Sequence, residues 1–245
     1  MKADISKQVR YCSDSCLAAL HNSCAAFDRS TGTVVLNRHR GKGCVTADYE
    51  MHFEWFNTFV ADIKLYGGCF YFELEAKGPL GELADDEMYD DQLGFCTHGF
   101  EAREKARKQS EDGSTRGDTA CWGVGVNCCL NWSEECDESG KLLPDKAFKL
   151  HENDFSYFGT GWNVGDVIGF ALDMRTAGAA VMSISVNGSF AAPNGVVFNS
   201  IDAPYLSPSF TGQGIYRVNF GDRPFAHAPP DEQHISVHAF NKSHP

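Results

Sequence analysis

Hydrophobic and polar positions alternate along most of this chain, and they do so in short runs. The clearest run is Cys69–Ala76 (CFYFELEA), where Phe70, Phe72, Leu74 and Ala76 fall on one side and Tyr71, Glu73 and Glu75 on the other. A period of two over eight residues predicts a half-buried antiparallel strand, with its polar side facing solvent. Comparable runs predict strands at 33–36, 92–97, 120–126, 167–172, 181–186, 206–210 and 215–220. Asn187-Gly188 follows the run at 181–186, and both residue types tolerate positive φ, which predicts a two-residue hairpin turn. A period near four appears only at the start. Cys12, Cys16, Leu20 and Cys24 recur on one face, and Ser13 is placed to cap, so 13–26 is expected to be a short helix. Many short strands without long helices between them imply two packed antiparallel sheets.

The pattern also divides the chain. Residues 1–32 are expected to form an N-terminal helical extension, 33–226 the β-sandwich, and 227–245 a C-terminal tail, because the alternation stops after Phe225 and Pro229-Pro230 follows. Two segments read as insertions between strands. Residues 82–91 carry six acids and no base, and 99–118 are long and highly charged. Polar connections of this length serve as binding loops or stay disordered.

Composition narrows the function classes. The chain has 245 residues and a formal net charge of −12, which disfavours phosphate backbones and anionic membrane surfaces as partners. No apolar run has the length of a membrane span, and residues 1–10 lack the apolar core of a secretory signal, so the expected location is cytoplasmic without membrane insertion. In that compartment the ten cysteines are expected to be reduced and mostly buried as small hydrophobes.

Tests for chemistry return little. The chain has no G-x-S-x-G elbow, no H-E-x-x-H and no phosphate-binding G-x-x-x-x-G-K-[ST] loop. His151 and Asp154 bring an imidazole near an acid, but neighbours in sequence rarely converge on one substrate, and the segment reads as a solvated connection. Cys12, Cys16, His21 and Cys24 lack standard zinc spacing, and the helical period already explains the cysteines. Cys128, Cys129 and Cys136 have no clear fourth ligand, and His234 and His238 fall in the expected tail. The acids at 82–91 lack the glycine of a calcium loop. No catalytic residue, metal ligand or cofactor site is assigned.

Taken in order, the strands carry a more specific pattern. GCFYFELE at 68–75 is similar to a "G-x-Y-Y-F-E-V" strand, QLGFCT at 92–97 to "I-G-F-S-T", and Cys121-Trp122-Gly123 to "S-W-G". YFGTGWNVGDVIGFALD at 157–173 is similar to "Y-G-x…G-D-V-I-G-x-x-L-D", SISVNG at 183–188 to "I-x-F-x-x-N-G", and YRVNFGDRPF at 216–225 to "V-x-V-N-F-G-x-x-P-F". Six motifs in this order resemble the SPRY (PRY–SPRY) family. Departures occur at Val124-Gly125, where the family has Asp, and in the larger inserts. The resemblance implies a twisted two-sheet sandwich without catalytic machinery, which presents loops at one end to a peptide or folded protein.

It also implies where binding would occur. The segment 37–42 (NRHRGK) resembles an early Arg-containing region of the family's rim. Arg38 and Arg40 would offer planar donor forks to a partner's carboxylate or carbonyl groups. The connection 99–118 takes the place of the variable loop. Thr211, Gly212 and Gln213, in TGQG, would form the loop before the last strand, with Gln213 pairing to peptide amides. Trp132 lies just beyond a predicted strand and is a candidate interface anchor. The expected function is therefore a non-catalytic interaction module for a protein or linear peptide partner. Two alternatives are a structural subunit of a stable multiprotein assembly and a carbohydrate-binding jelly roll.

Overall fold

The computed structural model describes residues 36–45, 50–77, 92–97, 121–125, 146–151 and 154–244. These hold twelve strands and one helix. The strands are β1 (Leu36–Val45), β2 (Glu50–Ala61), β3 (Cys69–Ala76), β4 (Gln92–Cys96), β5 (Cys121–Gly125), β6 (Lys146–His151), β7 (Asp154–Thr160), β8 (Val167–Asp173), β9 (Ala180–Val186), β10 (Gly195–Ile201), β11 (Ser207–Asn219) and β12 (His234–Ser236). The helix, α1, spans Val237–Ser243. It is far too short to cross a membrane, and no other helix occurs among the described residues.

β11 organises the sheets. Along one edge its first half pairs with β4, from Ser207↔Cys96 to Thr211↔Gln92, and its second half pairs with β3, from Tyr216↔Ala76 to Asn219↔Glu73. The strand is thus shared by two antiparallel sheets, β10-β9-β8-β3-β11 and β11-β4-β5-β6-β7. β2 runs along its other edge, and β1 pairs outside β2. The register between β11 and β2 shifts between Gly212 and Gly214. From Gly212 to Gly214 β11 advances two residues while β2 advances four, from Asn57 to Phe53, so the bulge lies in β2.

The core lies between the two layers. Phe72 of β3 stacks on Phe170 of β8, with centroids 4.8 Å apart and planes 3° apart. From the opposite layer, the edges of Phe95 and Phe210 approach Phe72 at 5.6 and 5.7 Å. All four rings are fully buried, each contributing roughly 1.5–3 kcal/mol of transfer free energy. Trp162 is buried, and its indole N–H donates to the Tyr216 hydroxyl at 3.4 Å. Trp122 lies 7% exposed beside the same core.

The all-β sandwich expected from the alternating runs is the observed architecture, but the helix is at the other end of the chain. The expected helix at 13–26 lies outside the described residues. The segment from 227 onward, read as a tail, is built into the domain instead. Phe225 sets its ring edge against Tyr71 at 4.8 Å. β12 then pairs in parallel with β3, His234↔Cys69 to Ser236↔Tyr71, on the stretch of β3 edge that β11 leaves uncovered. The Ser236 hydroxyl caps α1 by accepting from the Ala239 N–H at 3.0 Å. Val237, Phe240 and Asn241 of α1 are buried, and Phe240 meets Phe70 edge-on at 4.9 Å.

This segment also corrects the reading of β3. Two residues of its polar side do not face solvent: Tyr71 and Glu73 are 0% and 3% exposed, because residues 225–236 lie over them, whereas Glu75 is partly exposed. The hairpin reading at Asn187-Gly188 is borne out. Their φ angles are 49° and 80°, and the Ser189 N–H donates to the Val186 carbonyl at 3.1 Å.

Candidate functional site

Two groups of the residues expected to bind a partner fall on β1 and β11, on either side of β2, and the backbone register brings them to one level. Arg38 pairs with Phe59 of β2, and Phe59 pairs with Phe210 of β11. Arg40 pairs with Thr58, which in turn pairs with Thr211. Gly212 lies opposite Asn57. Neighbouring strands are about 4.8 Å apart, so the Arg40 and Thr211 backbones stand roughly 10 Å apart at one level of the sheet. Both groups were read as loops, and both are strand. Arg38 and Arg40 lie inside β1, at register shifts on either side of Arg40, and Thr211, Gly212 and Gln213 lie inside β11 beside its register shift against β2. Trp132 and the connections at 82–91 and 99–118 lie outside the described residues, as do Cys12, Cys16, His21 and Cys24.

A second feature was not legible in the sequence. A cavity of about 340 Å³ opens between the layers where β5 and β6 face β10. Its aromatic wall is Trp122, His151 and Phe198. The imidazole of His151 stacks on Trp122 with centroids 4.6 Å apart and planes 19° apart, and Phe198 meets the imidazole edge-on at 6.2 Å. His151 Nδ1 donates to the Cys121 carbonyl at 2.8 Å, which fixes the ring. Lys149 Nζ lies 5.6 Å from the Phe198 centroid, and Asp202 also lines the cavity. His151 is therefore half-buried and packed, where a solvated connection was expected. Residues 152 and 153 lie outside the described set, and Asp154 is opposite His151 across the β6–β7 pair.

The cavity combines these ring faces with the polar groups of Lys149, Asn199, Ser200 and Asp202. The strongly perturbed groups lie elsewhere and are occupied in structural pairs. Hydrogen bonds from Arg175 hold the Asp173 carboxyl down at about 2. Burial pushes the Tyr71 phenol well above its ordinary range, and the neighbouring Glu73 carboxylate adds to the shift. The Asp231 carboxyl is held low by its hydrogen bond with His234, at 2.8 Å.

No protein-family model matches the chain, and no curated protein matches it. Solved structures do. The SPRY domain of human HERC1 is 14% identical with a TM-score of 0.49, the match covering 74% of this chain and 94% of that one. The TRIM65 PSpry domain is also 14% identical, with a TM-score of 0.38, covering 66% of this chain and 67% of that one. The chain resembles SPRY domains. In the sandwich described above, β3, β4, β5, β7, β8, β9 and β11 carry the six motifs read from the sequence. Tyr71 and Glu73 lie within the first of those motifs and Phe225 within the last, whereas Lys149, His151 and Phe198 of the cavity lie outside all six. Glu73 stood out in the sequence as an acid between Phe72 and Leu74 in an otherwise aromatic strand.

Proposed function

We propose that this protein is a non-catalytic interaction module of the cytoplasm, capturing a protein or linear peptide partner at the part of the sheet formed by β1, β2 and β11. The observation that carries the reading is the register Arg40↔Thr58↔Thr211, which gathers two segments 171 positions apart in the chain onto one level of three adjacent strands. Guanidinium groups at 38 and 40 suit carboxylates and peptide carbonyls. The order of the six SPRY-like motifs supports the same class of function. So does the engagement of His151, Glu73, Asp231 and His234 in structural hydrogen bonds.

The test is affinity purification of the full chain from its source cells, with quantitative mass spectrometry, in parallel with an Arg38→Ala/Arg40→Ala variant. Specific loss of a stoichiometric partner from the variant, with an unchanged melting temperature, supports the proposal. Equal capture by both proteins, or a matching loss of stability, refutes it.

A further inference from the structure

We propose that Cys96 and Cys121 form a redox-closable pair, which under oxidising conditions becomes a cross-strand disulfide at the base of the connection 97–120. This inference does not depend on the binding function proposed above.

The geometry follows from the ladder. β4 and β5 pair Leu93↔Val124, Gly94↔Gly123, Phe95↔Trp122 and Cys96↔Cys121. Directly opposed residues of an antiparallel pair have Cα atoms about 4.5–5.5 Å apart and side chains on one face. Disulfides span about 4.4–6.8 Å between Cα atoms, so the backbone need not move. Phe95 and Trp122 point into the core, and the period of two turns Cys96 and Cys121 to the opposite face. There the two side chains pack against each other beneath Val60, 2% and 4% exposed, in a cluster separate from the main core. Neither is in a disulfide in this structure. Cys69, the other buried cysteine among the described residues, lies on β3, which is not a neighbour of β4 or β5 in the sheet order.

Position in the chain makes the pair reactive despite its burial. Cys96 is the last residue of β4 and Cys121 the first of β5. They form the terminal rung, and the end of a ladder opens at far lower cost than its middle. With glutathione disulfide as oxidant, one cysteine thiolate attacks and expels a glutathione thiolate, leaving a mixed disulfide on the protein. The second cysteine thiolate then attacks the protein-bound sulfur and expels the second glutathione. Two protein thiols and one glutathione disulfide become one protein disulfide and two glutathione thiols, which take up the two protons. The product staples both ends of the connection that reads as a binding loop.

The experiment oxidises the native full chain with glutathione disulfide, alkylates it, and maps its peptides by mass spectrometry. The expected result is a peptide linking Cys96 to Cys121. Closing a loop of about 25 residues should raise the melting temperature by roughly 6–12 °C, a rise reversed by dithiothreitol. Cys96→Ser and Cys121→Ser should each abolish the rise. A map showing only glutathione adducts, or links to other cysteines, overturns the proposal. So does an undiminished rise in either variant. Because the wild-type map is decisive alone, a variant that fails to fold does not rescue the idea.

Discussion

Replacing Glu73 with Gln tests the account of the C-terminal segment most directly. Glu73 is 3% exposed, and its carboxylate accepts three hydrogen bonds. Oε1 accepts from the Tyr71 hydroxyl at 3.2 Å and from the His227 N–H at 2.8 Å, and Oε2 accepts from the Ala226 N–H at 2.8 Å. The raised pKa of Tyr71 keeps its phenol protonated as the donor. A hydrogen bond to a charged group contributes about 1.5–3 kcal/mol. The amide of Gln retains one acceptor oxygen but turns the other position into a donor facing an N–H. One charge-assisted bond is lost and the others fall to neutral strength, for a net loss of about 2–3 kcal/mol. Glu73→Ala loses all three acceptances and should cost about 3–5 kcal/mol. Urea unfolding of the full chain at neutral pH measures both losses, and hydrogen exchange locates them. Protection should fall at Ala226 and His227 in both variants. A Glu73→Gln protein within about 0.5 kcal/mol of the wild type, or one with unchanged exchange at those amides, would refute the claim that this carboxylate holds the segment down.

Three further outcomes follow from the same structure. Phe240→Ala removes a buried ring set against Phe70 and Tyr66 at 4.9 and 5.3 Å, and should cost about 3 kcal/mol or more in denaturant unfolding. Gly169→Ala would put a methyl carbon 2.4 Å from Tyr71 Oη and 2.5 Å from Ser185 Oγ, so one of the two must shift; we expect a loss of about 1–3 kcal/mol by the same assay. Asp173 has a folded-state pKa of about 2, below its ordinary 3.8. Its contribution is therefore complete above about pH 4 and is lost as pH falls through about 2, so melting curves recorded across that window should drop more steeply for the wild type than for Asp173→Asn.

The strands that the sequence revealed are those whose environment is two-faced or bounded by turns. Cys69–Ala76 is found with its boundaries intact, and the runs at 92–97, 120–126, 167–172 and 181–186 shift by a residue at most at either end. β2, β6, β7 and β10 were not read as strands. Glu50–Ala61 mixes aromatic and polar residues on both parities, since β2 lies between β1 and β11. β10 is an edge strand with two register shifts, which breaks the period that alternation needs. The segments at 206–210 and 215–220 were read as two strands because Gly212 and Gly214 look like a turn. In space they lie inside the single strand β11, opposite a bulge in β2. The same error hid the relation between Arg40 and Thr211, because that relation is a register across a third strand and leaves no local trace.

The most informative miss is Glu73. Alternation assigns a side chain to a face, but it cannot say what covers that face. Here the covering chain comes from about 150 positions later. It passes over Tyr71 with Phe225, delivers two backbone N–H groups to Glu73, and takes the vacant edge of β3 with β12. Arg175 binds Asp173 on β8 and also donates to Gln233, tying the loop after β8 to the same segment. These contacts resolve an apparent conflict in β3, an acid in an aromatic strand, by making the acid the acceptor for backbone donors that would otherwise need water. They also explain why the alternating pattern ends before the structure does. The segment after Phe225 is held through main-chain hydrogen bonds to Glu73 and β3, together with a few buried side chains such as Val237 and Phe240. Bonds made by the backbone leave little mark on the order of hydrophobic and polar residues.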